Sequence, residues 1–265
     1  MTQLREDTDD PEHDNDLSFG DVVIDNERPD SKRQNENVTD TDTRTRKPVV
    51  VNVPPVTAEE WDVPDRGVTV AEDNPQYRSD SPIAIVVFTP DLDSAFQYYS
   101  GVAPLKLTRL ERSGVDYYAF PQPRLQKAGS RGPITVDIDR IYPSPYHSRT
   151  FSLDQNTRFV EKVAAREKPP RPPLVWANHD RAHSRSCTCT CTQTDSLTLL
   201  DGHKRVWASH VAGLEDIEIL GMYLDDETAT RVWANRHLDS YNRTETNRAR
   251  TRLKDKWGEG YRQFF

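Results

Sequence analysis

Cysteine is scarce in this chain. There are three in 265 residues, all within Cys187–Cys191. An odd, tightly bunched set excludes the paired framework of a small secreted domain. Long apolar runs are missing as well: the longest, Ile83 to Phe88, has six residues, where a membrane helix needs roughly 20. The N-terminus lacks the basic and then apolar stretch of a signal peptide. The expectation is a soluble, cytoplasmic protein with no membrane partner. Apolar residues are few overall, at 34% against 29% charged, with a mean hydropathy of −0.83. Such values indicate that part of the chain does not pack a core.

The charge is unevenly distributed. Residues 1–47 hold fourteen acidic and seven basic side chains, which accounts for nearly all of the formal −8. The net acidity therefore belongs to this segment and excludes no anionic partner for the rest. Poor in aromatics and rich in Asp, Asn and Thr, residues 1–47 are predicted to be a disordered acidic tail. Residues 48–80, with Pro54-Pro55 and Pro64, read as an extended linker. Residues 82–125 suggest a small βαββ module: a buried-type strand at Ile83–Phe88, a helix opened by Thr89-Pro90, and strands at Leu105–Leu110 and Val115–Phe120. No chemistry attaches to it.

After a second linker (Gln126–Gly132) the pattern becomes α+β. A strand is predicted at Ile134–Ile138, followed by a loop stiffened by Pro143 and Pro145. Ser152 with Gln155 reads as a capping box starting a helix that stops before Pro169. Strands at Leu174–Ala177 and Leu197–Leu200, a helix from His203 to Gly213, a strand at Ile217–Leu224, and a helix capped by Asp225 complete the unit at 133–243. A basic C-terminal helix fills 244–265.

The segment Leu199-Leu200-Asp201-Gly202-His203-Lys204-Arg205-Val206-Trp207-Ala208 runs a strand through an acid and a glycine into a helix bearing two fixed cations. Helix N-termini with cations nearby bind anions, phosphates above all. The alternative is an ordinary strand-to-helix turn with solvated charges. His179, His183, Cys187, Cys189 and Cys191 have the chemistry of weak zinc ligands. However, alternate residues on a strand sit roughly 7 Å apart, so Cys-x-Cys on one metal needs a bend. A Thr/Cys-rich hairpin is the simpler reading. Arg248, Arg250 and Arg252 lie in a stretch with nine bases against four acids, either a DNA-phosphate contact or a solvated helix face.

The order from Ile134 to Leu238 resembles the N-terminal domain of the ParB/sulfiredoxin-like superfamily. Three blocks carry the resemblance. Val136 to Arg149 is similar to a strand followed by "I-x-P-N-P-x-Q-x-R". Leu200 to Leu214 is similar to "I-x-G-E-R-R-x-x-A" and closer still to "D-G-H-x-R-x-x-A". Ile217 to Leu238 is similar to the strand, "L-D-D-E" and the helix ending in "E-N-x-x-R". The resemblance implies a nucleotide pocket, with CTP or another nucleotide as ligand. Gly202, His203, Lys204 and Arg205 would cradle phosphate, with Asn235 beside it and Arg149 approaching from the opening loop. It implies a DNA-associated role, as a plasmid-partition or regulatory accessory factor. The alternatives are a small-molecule kinase-like enzyme using Asp201 and His203 for proton transfer, and a ligand-free scaffold. Ala234 stands where the family has its glutamate, which argues against magnesium-assisted hydrolysis of the ParB kind. No cysteine sits beside Gly202, which argues against sulfinic-acid repair. Oligomeric state is not legible.

Overall fold

The computed structural model describes residues 17–27, 47–64, 66–178 and 196–265. They form two compact units. Unit one takes the described residues up to Phe88 and then Tyr117–Gly129. Unit two takes Thr89–Asp116 and Ser130–Phe265. Among the described residues no helix is long and apolar enough to cross a membrane.

Unit one is a five-stranded sheet in the order β4-β3-β2-β1-β5. Its strands are β1 (Asp21–Asp25), β2 (Pro48–Asn52), β3 (Ile83–Phe88), β4 (Tyr118–Pro121) and β5 (Leu125–Ser130). β2, β3 and β4 pair antiparallel in succession, with Val50 opposite Val86 and Ile85 opposite Ala119. Leu17, Val23, Val50, Ala84, Val86 and Leu125 form the core. Three expectations are corrected here. The tail 1–47 contains an ordered strand, because Val22-Val23-Ile24 finds a partner in β2 with Val22 opposite Val49. The linker 48–80 opens with that partner strand and also holds the helical turn α1 (Val70–Asp73), capped by Thr69 and Glu72 in a capping box. The segment 126–132, read as a linker, is largely strand β5. A five-residue strand lives on non-local pairing, which local composition does not reveal. Arg124 secures the sheet with a two-pronged bond to Asp25 (2.9 and 2.7 Å) and a third bond to Asn74 (2.6 Å).

The βαββ module 82–125 is likewise corrected: its chain is shared between the units. β3 and β4 belong to unit one, whereas α2 (Thr89–Ala95) and α3 (Leu107–Arg112) belong to unit two. The strand expected at Leu105–Leu110 is mostly helix α3. Leu107 and Leu110 are three apart, a helical as much as an extended spacing, and Ser113 N–H closes the last turn on the Arg109 carbonyl (3.0 Å).

Unit two holds a second sheet in the order β6-β10-β8-β9-β7. The strands are β6 (Ile134–Asp137), β7 (Ile141–Tyr142), β8 (Leu174–Asn178), β9 (Ser196–Asp201) and β10 (Asp216–Met222). β8 and β9 are antiparallel, β10 runs parallel to β8, and β7 runs parallel to β9. The helices are α4 (Leu153–Arg166), α5 (His203–Val211), α6 (Asp226–His237) and α7 (Arg243–Trp257). Ser152 is the N-cap of α4, but its side chain makes no capping bond, so the expected capping box is absent. Asp225 caps α6 as expected, accepting from Thr228 N–H (2.8 Å). The main core joins Leu174, Trp176, Leu200, Met222 and Trp233 with Ala249, Leu253 and Phe264. The basic C-terminal helix is thus an integral wall of unit two. A second cluster packs Val160 and Val163 of α4 on Ala208 of α5.

Candidate functional site

β9 delivers Asp201, and the chain then turns through Gly202 into α5. Gly202 is left-handed (φ 99°, ψ 19°), a conformation that side-chain-bearing residues rarely adopt. A Cβ at Gly202 would lie 2.8 Å from Pro173 Cβ and 3.0 Å from the Arg205 guanidinium carbon. The Gly202 carbonyl accepts from Arg205 N–H (2.8 Å) and Val206 N–H (3.0 Å), starting the helix. Gly202→Ala combines backbone strain with a clash against a ring of fixed shape. The expected loss is about 2–3 kcal/mol, read as a lower urea midpoint with an unchanged slope.

The cations sort into three environments. Arg205 binds Asp201 Oδ2 (3.0 Å) and donates to the carbonyls of Pro172 (2.8 Å) and Arg171 (3.1 Å), fastening the Pro-rich segment against the turn. Arg236, at the end of α6, reaches the same Asp201 oxygen at 3.5 Å. Arg149 pairs with Glu245 (3.2 Å), donates to the Ser240 carbonyl, and lies 4.7 Å over the Tyr241 ring. Lys204 is exposed, 5.1 Å above the Phe159 ring. It lines an open pocket of about 620 Å³ with the first turns of α4, Asp154 to Phe159. Asn235 is exposed on α6. Of the predicted set, Asp201, Gly202 and Arg205 therefore come together. Lys204 faces outward toward α4, and Arg149 is committed to α7.

His203 is buried and belongs to an aromatic cluster. Its ring stacks on that of His147, with centroids 3.7 Å apart and planes 4° from parallel. His237 stands edge-on to both, at 5.3 Å from His203 and 6.0 Å from His147. Ser144 N–H donates to His203 Nε2 (3.1 Å). That nitrogen is the acceptor, so the proton of the neutral ring sits on Nδ1, which has no hydrogen-bond partner. His237 Nε2 bonds the Leu200 carbonyl (2.9 Å), and His147 Nδ1 bonds the Tyr241 hydroxyl (3.0 Å). Burial, with His147 and His237 adding to it, pushes His203 down to about 2. Burial and its cationic neighbours push His147 down to about 4, and His237 is also lowered by burial. All three are neutral at pH 7. The proton-transfer role expected of His203 in a kinase-like enzyme does not suit this environment, because its one lone pair is already occupied by a backbone N–H.

On α7, Arg248 and Arg250 are exposed, the latter 4.8 Å over the Phe265 ring, while Arg252 donates to the His147 carbonyl. The metal candidates His179, His183, Cys187, Cys189 and Cys191 lie outside the described residues. Among the described residues no group of three or more His, Cys, Asp or Glu is placed to hold a metal. Sequence reasoning missed Arg236, His147, His237 and Tyr241. His147 sits inside the quoted loop block, and Arg236 and His237 directly follow Asn235, so position alone could have nominated them.

No family model matches the chain, and no curated protein matches it. Among solved structures it is similar to the C-terminally truncated chromosome-partitioning protein ParB from Caulobacter crescentus complexed with CTP-γ-S. That likeness has 18% identity and a TM-score of 0.31, over 50% of this chain and 70% of that one. The same protein complexed to the centromeric parS site gives 20% identity and a TM-score of 0.31, over 49% of this chain and 63% of that one. The likeness is weak and covers about half of the chain.

Proposed function

We propose that unit two is a ParB-like domain that binds a nucleotide, or another phosphate ligand, at the Gly202–Arg205 turn. The observation that carries this reading is the convergence of two guanidiniums, Arg205 at 3.0 Å and Arg236 at 3.5 Å, on one oxygen of Asp201, next to the left-handed Gly202 and the first turn of α5. A phosphate offers those guanidiniums the same charge-assisted, two-pronged acceptor as the carboxylate and is drawn to a helix N-terminus. The sequence blocks around this turn resemble the ParB/sulfiredoxin-like superfamily, which supports the same ligand class. CTP is the first nucleotide to try on that resemblance.

The residues present do not suit magnesium-assisted hydrolysis. Ala234 is buried in the core of α6, so no carboxylate projects from the position of the family's glutamate. The reading is therefore of a binding domain, with a DNA-associated partition or regulatory accessory role supported by the exposed Arg248 and Arg250 on α7. Phosphate contact by these two would make DNA affinity fall steeply with salt.

The test is thermal stability of the full chain with CTP, ATP, ADP or GTP, each with and without magnesium. A nucleotide at a hundred times its Kd adds about 2.7 kcal/mol to the native state, which is about 5–10 °C for a unit of this size. The shift is expected to vanish in Arg205→Ala and to shrink in Arg236→Ala. A flat response to all four at millimolar concentration overturns the reading in favour of a ligand-free scaffold. The internal pairing of Arg149 and Arg205 is the observation on that side.

A further inference from the structure

The loop Pro143–Arg149 is hydrogen-bonded to α5 through one lone pair, beside the stack of His147 on His203. His203 Nε2 accepts the Ser144 N–H at 3.1 Å, and that nitrogen is also the only site on the ring where a second proton can bind. The backbone N–H and the proton compete for one orbital. From this geometry we infer that the loop and α5 form an acid-released latch, in which protonation of His203 and docking of residues 143–149 are mutually exclusive.

The surroundings leave no second place for the charge. His203 is 5% exposed, and its ring lies face to face with His147 at 3.7 Å. The titratable groups that face it are His147 from the loop and His237 from the end of α6. His147 is in turn faced by Arg149 and Arg252, with Glu245 already paired to Arg149. His237 is faced by Asp201, Arg149 and Arg236, and Asp201 is already held by Arg205. An imidazolium in the stack would meet two other imidazoles and a shell of arginines whose nearest carboxylates are engaged. Opening relieves this, because a released imidazole regains its ordinary pKa near 6.5.

The sign follows from linkage. The closed state binds the proton more weakly than the open state, so docking is fully stabilised above about pH 6.5 and is lost as pH falls below it. One histidine with an ordinary pKa when open favours opening by about 25-fold between pH 7 and pH 5. Release would undo more than the Ser144 bond. The same loop ties to α7 through Ser148 Oγ to the Glu245 carbonyl (2.9 Å), the Arg149–Glu245 pair, and Arg252 on the His147 carbonyl. Acid would therefore free α7 from the loop as well as freeing the loop from α5.

The experiment is amide hydrogen exchange of Ser144 in the full chain at several pH values between 7.5 and 5, expressed as protection over the unstructured rate. In the wild type, protection is expected to fall about 25-fold or more between pH 7 and 5, ahead of the amides of β8 and β10. His203→Gln keeps an acceptor near the Nε2 position but cannot titrate. There the pH 7 protection should persist and the fall should shrink by about that factor. Protection independent of pH in the wild type, or an undiminished fall in His203→Gln, overturns the latch. Should that variant fail to fold, the His203 Nε2 nitrogen resonance of the wild type decides. It must keep its unprotonated shift for as long as Ser144 stays protected, and protonation without loss of protection overturns the proposal.

Discussion

Gly221→Ala is expected to destabilise unit two by about 4 kcal/mol or more, a large downward shift of its urea midpoint. Gly221 lies near the end of β10, and a Cβ there would overlap the Tyr98 carbonyl oxygen and fall 3.0 Å from its carbon. These are backbone atoms and cannot swing aside. The approach is fixed from both directions: Gly221 N–H donates to Ser100 Oγ (2.9 Å), and Ser100 N–H donates to the Gly221 carbonyl (3.0 Å). One added methyl must therefore break this paired contact, on top of a core overpacking cost of about 1–3 kcal/mol. A total of about 4 kcal/mol or more is a large share of the 5–15 kcal/mol of a typical domain. Equilibrium urea unfolding, with unit-two tryptophan fluorescence as the probe, measures it. A loss below about 1 kcal/mol would mean that the strand and the Tyr98–Ser100 segment separate easily.

The second large effect is expected from Trp233→Ala, with a loss of about 3–5 kcal/mol. Trp233 is fully buried on α6, and its ring contacts Tyr146 at 5.3 Å, His237 at 5.4 Å and Tyr241 at 6.1 Å. Removing it opens a cavity beneath the rings that support the histidine stack, so the urea midpoint should fall and the Ser144 latch should loosen together. Trp233→Phe should cost much less. It keeps an aromatic face and removes the indole N–H, which is buried with no partner. Equal losses in the two variants would show that ring volume is not what holds this wall.

The fold of unit two was largely legible because its elements carry local signals. The Asp225 cap, the glycine at 202 and the apolar strands 174–177, 197–200 and 217–224 each declare themselves within a few residues. Unit one was opaque for the opposite reason. β1 is three apolar residues among acids, and only its pairing with β2 makes it a strand. The site was legible in part. The turn at Gly202 announces itself through residue type, and the convergence of Arg205 on Asp201 follows from their i,i+4 spacing across the turn. Arg236 and the partners of His203 were not readable, since they depend on where α6 ends and how the loop folds back. Nor could sequence show that Arg149 is committed to Glu245, because that pairing links residues nearly a hundred positions apart.

The order β2-β1-β5 in the first sheet has a consequence for how the chain acquires its shape during synthesis. β1 ends at Asp25, and its second neighbour in the sheet does not begin until Leu125. As the chain emerges from the ribosome, the first strand must stay half-partnered until that neighbour arrives, and by then two helices destined for the other unit have already passed. Unit one is thus finished by residues that come late, a non-local closure of the kind that slows folding. A nascent chain stalled before residue 125 would present β1 with one open edge, and any shortened version beginning at residue 82 would discard two of the five strands outright.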